Sequence, residues 1–366
     1  MNLLVPNLGS TSLKYQILEM PSEKVLGRGR FERVRDYGEA IGQIAAAGVA
    51  VDAVAFKAVH AGPQYCGTFF IDDGVLRALE EFLPAAPAHN AIYLAAVRAF
   101  RQSLPGVPLV AAFETEFHDT MPASARLYGV PAQWRAEGVR KYGFHGASHQ
   151  YVAERASAML GRQTRLVSCH LGGSSSMCAI DRGRSVDTTM GFSPQSGLEN
   201  ATRHGDLDAF AVLFMMERHG WTCAQVRAQL ATGGGLAGLS GIAGGDVRDL
   251  EQAAAAGDAC AAEALQVFAY QVRKTIGAYA AALGGLEAVA FTGGIGENSA
   301  SLRAACCEGL EFLGIALDPE LNVGGSGDRV VSRGPVAVLA WATNEEPIVA
   351  RRAFRLLIGA CGTLAE

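Results

Sequence analysis

Five short segments carry the residues whose types and spacing could do chemistry. The first, residues 5–15, reads VPNLGSTSLKY and gathers Asn7, Gly9, the hydroxyls of Ser10, Thr11 and Ser12, and Lys14 in one break between apolar runs. Backbone N–H groups and hydroxyls in such a turn can form an anion-binding nest, with Lys14 as the cation. The same residues also suit a plain β-hairpin with a polar turn. It is not a Walker A loop, which needs glycine directly before the lysine and a helix after it. A near copy, CHLGGSSS at 169–176, puts Gly172, Gly173, Ser174, Ser175 and Ser176 in an equivalent place. Two hydroxyl-rich turns of this kind resemble a phosphate clamp.

The other segments each admit two readings. FTGGIGENSASLRAA (291–305) is a buried strand, a glycine turn and a helix whose start is marked by Glu297, Asn298 and Ser299. Free N–H groups and space beside the glycines suit a nucleotide; a turn without ligand is the alternative. Ser299 stands where the dinucleotide pattern needs Gly or Ala, the wrong spacing for NAD. RKYGFHGASHQYV (140–152) sets His145 and His149 at i and i+4, a spacing that can bind metal on a helix. The glutamate of H-E-x-x-H is missing and no third ligand is evident, which leaves structural histidines or one catalytic imidazole. ENATRHGDLD (199–208) holds Arg203 in a polar turn, where an ordinary surface arginine is the bland reading. WATNEEPIVARRAF (341–354) sets Asn344, Glu345 and Glu346 between a strand and a helix, as caps or as carboxylates for Mg²⁺.

The elements that must position these groups are apolar runs alternating with Ala-rich helical patterns. The runs LLVP, VDAVAF, VPLVAAF, RLVSCHL, EAVAFTG and VAVLAWA read as strands, and their alternation with helices indicates an α/β architecture. Most end in polar or glycine-rich residues, and ligands in open α/β sheets sit at the carboxyl ends of strands. The echo between LLVPNLGSTSLKYQI and RLVSCHLGGSSSMCAI indicates two related halves, each opening strand, Gly-Ser turn, strand.

At 366 residues the chain exceeds what one hydrophobic core usually spans, so two domains are expected. A net charge of −5 without a Lys/Arg stripe gives no footprint for nucleic acid. The eight cysteines form no C-x-x-C pair and suit free thiols in a reducing, cytoplasmic setting. Apolar stretches such as AFAVLFMM (209–216) fall far below a membrane span, and no signal peptide is evident.

Together the segments NLGSTSLKY, VHAG, APAHN, FETEFHDTMP, VRKYGFHGASHQYVAERA, CHLGGSSS, MGFSPQSGL, TRHGDLD, GLSG, DVRDL, FTGGIGENS and TNEE resemble, in order, the acetokinase family of the sugar kinase, Hsp70 and actin superfamily. The resemblance implies two related α/β lobes of actin-like (ribonuclease H-like) ββ-β-α-β-α architecture with an interlobe active-site cleft. Residues 1–117 plus 346–366 would form one lobe, and 118–345 the nucleotide-binding and dimerising lobe. It implies reversible transfer of the ATP γ-phosphoryl to a short carboxylate, giving an acyl phosphate and ADP, with Mg²⁺ and as a homodimer. By the same resemblance Arg203 and His145 stabilise the phosphoryl group. Asn7 and Glu345 match magnesium-associated positions; Ser10, Ser12 and Lys14 match the first phosphate turn. His170, Leu171, Gly172, Gly173 and Ser174, then Asp246, Val247 and Arg248, then Gly294, Ile295, Gly296, Glu297 and Asn298 match the remaining ATP segments. His89 matches a further active-site histidine, and Val59, Phe144 and Pro194 match the acyl pocket.

Departures from the family pattern gather where the carboxylate and phosphoryl groups would sit. The family's substrate-binding Arg falls on Lys57, its active-site Asp on Glu114, and the Asn of its HLGNG loop on Gly173. Lys lacks Arg's bidentate fork, and a lysine facing an acid one methylene longer suggests a compensated pair. Ala88 replaces a pocket Leu, which makes room for propionate or butyrate besides acetate. A degenerate homologue that binds nucleotide for regulation is the remaining alternative.

Overall fold

The computed structural model describes residues 1–9, 12–34, 37–46, 48–325 and 327–362, with the backbone alone for 88, 361 and 362. Ser10 and the side chain of Ala88 therefore lie outside the described residues. The chain forms two compact units: Met1–Asp119 with Ala136–Gly138 and the segment from Asn344 onward, and Thr120–Arg135 with Val139–Thr343.

The first unit is built on β1 (Asn2–Leu8), β2 (Ser12–Glu19), β3 (Lys24–Glu32), β4 (Ala53–Ala58), β5 (Thr68–Phe70) and β6 (Leu109–Phe113), ordered β3-β2-β1-β4-β6-β5. β1 and β2 form the hairpin of VPNLGSTSLKY, closed by Gly9 N–H donating to Ser12 O at 2.8 Å, with Asn7 directly opposite Lys14. β1, β4 and β6 run parallel, joined by helices Tyr37–Ala46, Asp73–Glu81 and Pro87–Ser103. Parallel strands covered on both faces read as continuous apolar runs, and every residue of LVAAF in β6 is buried. Phe56 of β4 meets Tyr93 and Phe100 of the Pro87 helix edge-on, at 5.5 and 5.1 Å, and centres this core.

The second unit repeats the plan with β7 (Arg165–His170), β8 (Ser176–Asp181), β9 (Arg184–Thr188), β10 (Ala288–Thr292), β11 (Arg329–Val330) and β12 (Ala337–Ala340), ordered β11-β12-β10-β7-β8-β9. Each sheet has three antiparallel strands, two further parallel strands and an antiparallel edge strand. The two Gly-Ser turns occupy the same hairpin in each, which is the internal echo in three dimensions. Mixed α/β units of this plan are the actin-like fold that the sequence implies.

Two local readings are corrected. The glycines of GGIGEN are themselves helical: Gly293–Asn298 forms a turn and a half, and Ser299 caps a second helix, Ala300–Cys307, by accepting from Leu302 N–H. Glycine is a poor helix former, but Gly293 sits at φ 77° where a Cβ would come 2.5 Å from Leu171 O, so close backbone approach decides it. His145 lies before the helix Gly146–Leu160 in the left-handed region (φ 57°), so it is not a helical position and only His149 lies on the helix. Among the described residues no helix is long and apolar enough to cross a membrane, and no disulfide joins the cysteines.

Candidate active site

In the first unit, strand ends bring a cation between two acids. Lys57 lies near the end of β4, and Glu114 follows β6 with its N–H bonded to Ala58 O at 2.8 Å. Glu345 precedes the helix Glu346–Gly362, its carbonyl accepting from Val349 N–H. Glu114 and Glu345 are buried, and Lys57 is half-buried. The Lys57 ammonium donates to Glu345 Oε2 and stands 3.3 Å from Glu114 Oε1. Burial alone would pull the Lys57 pKa down, but the Glu345 and Glu114 charges hold it above the ordinary lysine value. Glu345 is thus an ion-pair partner as well as a helix-start residue. Nearby, Asn90 Nδ2 donates to His60 O and Leu79 O at 2.8 and 3.0 Å, fixing the start of the helix that carries half-buried His89. Val59 is half-buried, and Lys14 is exposed beside half-buried Asn7 and Ser12.

In the second unit three histidines and four serines form one network. His145 Nδ1 meets Ser176 Oγ at 2.8 Å and its Nε2 meets Ser174 Oγ at 3.2 Å. The ring stacks on His170 at 4.3 Å between centroids. His149, fully buried, has both nitrogens engaged, by Ser168 Oγ and Ser176 Oγ at 2.8 Å each. That makes His149 structural and closes the metal reading of the pair. Ser148 Oγ joins His170 Nδ1 (2.7 Å) to Thr343 Oγ1 (2.9 Å). Phe144 is buried in the core.

Arg203 is more than a surface arginine. Half-buried, it donates through Nη1 to the carbonyl of buried Pro194 at 2.6 Å and through Nη2 to Asn200 Oδ1 at 3.4 Å. Its turn is backed by Gly235 (φ 62°), where a Cβ would come 2.1 Å from Asn200 O.

A cavity of about 600 Å³ opens beside the β7–β8 turn. Its walls are Gly172 and Gly173, the start of the helix Val247–Ala255 with Asp246, Val247 and Arg248, and Gly294, Ile295 and Asn298. Of the expected ATP segments, His170, Leu171, Ser174, Gly296 and Glu297 do not line it. Leu171 and Gly296 are backbone scaffolding instead: Leu171 O accepts from Ile295 N–H and Gly296 N–H at 2.9 and 3.1 Å. Glu297 O, with Gly296 O, accepts from the buried guanidinium of Arg303. The sequence reading passed over Ala201, Gly244, Gly245, Glu251 and Ser299 in these walls; the Gly-Gly-Asp run ahead of a helical pattern was the available signal. Asp246 caps that helix and pairs with Arg248, whose hydrogen bond pulls the Asp246 pKa down to about 2.

The acetokinase family model matches residues 38–351. The chain belongs to the acetokinase family. An acetate kinase from Geobacillus sp. (strain WCH70) is 41% identical over 391 positions, covering 97% of this chain and 98% of the relative. The crystal structure of Porphyromonas gingivalis acetate kinase superposes with a TM-score of 0.86 at 34% identity, covering 97% and 99% of the two chains. A propionate kinase from Francisella tularensis subsp. tularensis SCHU S4 gives 0.88 at 29% identity, covering 96% and 98%. As an acetokinase the chain is a phosphotransferase with a carboxyl acceptor, acting on a small carboxylate and ATP/ADP.

Magnesium needs its own test. Among the described residues no three His, Cys, Asp or Glu side chains converge as a metal cage. Mg²⁺ that keeps waters and phosphate oxygens needs only one or two protein ligands, and a carboxylate such as Glu345, already paired with Lys57, is of the oxygen-donor type it takes.

Proposed function

We propose that this acetokinase transfers the γ-phosphoryl of MgATP in line to a short-chain carboxylate, acetate first, reversibly giving an acyl phosphate and ADP. The observation that carries the reading is the double use of the Gly172–Ser176 turn: its glycines wall the cavity, while Ser174 touches His145 and Ser175 is bonded to the Asn200 that holds Arg203.

A carboxylate is ionised at neutral pH, so the acceptor needs no general base; the barrier lies in aligning two anions. His145 and Arg203 supply donors for the charge on the transferring group. If His145 donates through Nε2, its Nδ1 accepts from Ser176 Oγ–H, and Ser176 accepts from His149 Nε2–H. His149 Nδ1 then accepts from Ser168. That proton arrangement satisfies every contact of the two rings and makes His145 Nε2 a donor; the reversed arrangement, with Nδ1 donating to Ser176, satisfies the same contacts. Lys57, held charged by Glu114 and Glu345, orients the acceptor, with His89 and Val59 on the same side of the reaction; Ser12 and Lys14 serve the nucleotide phosphates. Mg²⁺ brought with ATP would be held by Asn7 and Glu345 and offsets phosphate charge.

Ala88, small where the family has a branched residue, favours propionate and butyrate as further acceptors, each added buried methylene being worth up to about 0.8 kcal/mol. The chain acts as a homodimer through the helix Ala209–His219. None of its residues is buried, and Phe210, Leu213 and Phe214 are 77%, 50% and 55% exposed.

Hydroxylamine trapping of acyl phosphate after MgATP and acetate, propionate, butyrate or bulkier acids tests the reading. Product with short acids is expected. Nucleotide binding without product from any acid would overturn it in favour of a regulatory homologue.

A further inference from the structure

We infer that Asn200 is a positioning residue that locks the Gly172–Ser176 turn to Arg203, supplying from the facing segment the amide that this chain lacks at position 173. The inference rests on the acyl-phosphate reading above for its kinetic part, and on geometry alone for its structural part.

Asn200 is 1% exposed, and its side-chain oxygen takes donors from two segments at once. Oδ1 accepts from Ser175 N–H at 2.6 Å and from Arg203 Nη2 at 3.4 Å, while Nδ2 donates to Leu198 O at 3.1 Å. The backbone tightens the same junction: Ala201 N–H donates to Gly173 O at 3.1 Å, and Asn200 N–H to Arg203 O at 3.0 Å. A buried amide whose oxygen takes two donors and whose nitrogen donates to a backbone carbonyl is held in orientation, and losing it would leave the Ser175 N–H buried and unpaired. The segment is packed closely from its other side, since Cβ atoms at Gly235 and Gly245 would come 2.1 Å from Asn200 O and Ala201 O respectively.

Position 173 is where the resemblance expects an asparagine. A Cβ placed on Gly173 would meet no atom within 4 Å, so a side chain fits there. In this chain the buried amide that bonds the turn is that of Asn200, on the segment packed against it. A neutral amide suits this place: an aspartate would keep the acceptor but add negative charge beside the phosphate turn, and an aliphatic residue would leave Ser175 without its acceptor.

The test combines exchange and kinetics on the full-length protein. Hydrogen exchange at the Ser175 amide should speed up at least tenfold in Asn200→Ala and stay near the parent rate in Asn200→Asp, which keeps the oxygen; equal protection in all three overturns the lock. Should Asn200→Ala not fold, Asn200→Ser, too short to reach, takes its place. In acyl-phosphate formation Asn200→Ala should lower kcat roughly 10- to 100-fold, with the ATP KM changed less than threefold. Combined with Arg203→Ala, its loss should be at least fivefold smaller than the product of the single losses; multiplicative losses overturn the coupling. Gly173→Asn should restore kcat in the Asn200→Ala protein, and no recovery overturns the claim that the two positions supply the same amide. A parent that makes no acyl phosphate sinks the functional reading, while the exchange result still decides the lock.

Discussion

The Lys57 ammonium donates to the carboxylate of Glu345, a residue 288 positions away in sequence, and the same ammonium lies 3.3 Å from Glu114. One cation therefore offsets two buried acids. Lys57 and Glu114, where the resemblance expects Arg and Asp, stand within ion-pair distance of each other.

Replacing Lys57 by Met should therefore destabilise the protein by about 2 kcal/mol, less than the 3–5 kcal/mol of a fully buried pair, because Lys57 keeps 24% of its side chain in water. Urea denaturation measures it. The Lys57→Met, Glu114→Gln double variant should recover part of the loss; a single variant as stable as the parent would show the two acids need no cation. Lys57→Arg should change the carboxylate KM, because a bidentate fork cannot occupy the same place between the two acids.

His145 and Ser176 give a second, sharper expectation. His145 sits at φ 57°, where asparagine is tolerated better than other residues with side chains. Thus His145→Asn should fold and lose about 10²- to 10³-fold in kcat, the usual loss for one donor at developing charge, with ATP affinity little changed. Ser176→Ala leaves the imidazole in place but removes the hydroxyl that both His145 and His149 meet, and should cost kcat less than His145→Asn does. Equal kcat in parent and His145→Asn would remove the imidazole from the chemistry.

The parts of this molecule written locally were legible. Strands β4, β6, β7 and β10 are apolar runs because both faces are covered, and the two Gly-Ser hairpins announce the duplicated plan. What depends on register between distant segments was not. Glu345 reads as a cap or a metal ligand because nothing beside it in sequence names Lys57. Asn200 reads as a neighbour of Arg203, since only the fold brings it to Ser175. GGIGEN reads as a loop by propensity, and becomes helical because Gly293 lies against Leu171 O. AFAVLFMM is apolar on every face yet largely exposed in this chain, which its sequence alone does not distinguish from a core helix.

Acid should act on the cavity wall through Asp246. Its pKa falls from 3.8 to about 2 through the hydrogen bond from Arg248. A carboxylate lowered on folding adds stability above its unfolded pKa and loses it as pH falls from about 4 towards 2. Asp246→Asn keeps the helix cap but not the ion pair, so its stability should change less than the parent's over that window. Asp246→Ala also removes the cap and should cost about 1 kcal/mol at neutral pH. Parallel stability curves for Asp246→Asn and parent below pH 4 would contradict the assignment.

The helix Ala209–His219 carries the last expectation. Eleven residues are too few for a stable isolated helix, and this one gains little from burial within the chain, since none of its residues is fully buried and only Val212 and Met216 are half-buried. In the proposed homodimer a second copy would cover Phe210, Leu213 and Phe214, each large side chain being worth about 1.5–3 kcal/mol when fully covered. Sedimentation should therefore give a dimer for the parent and a monomer for Phe210→Glu with Phe214→Glu. Because both side chains are already in water in a single chain, the double variant should fold normally, with unchanged near-ultraviolet dichroism at the site. A parent that sediments as a monomer at micromolar concentration would instead leave this apolar helix to a different protein.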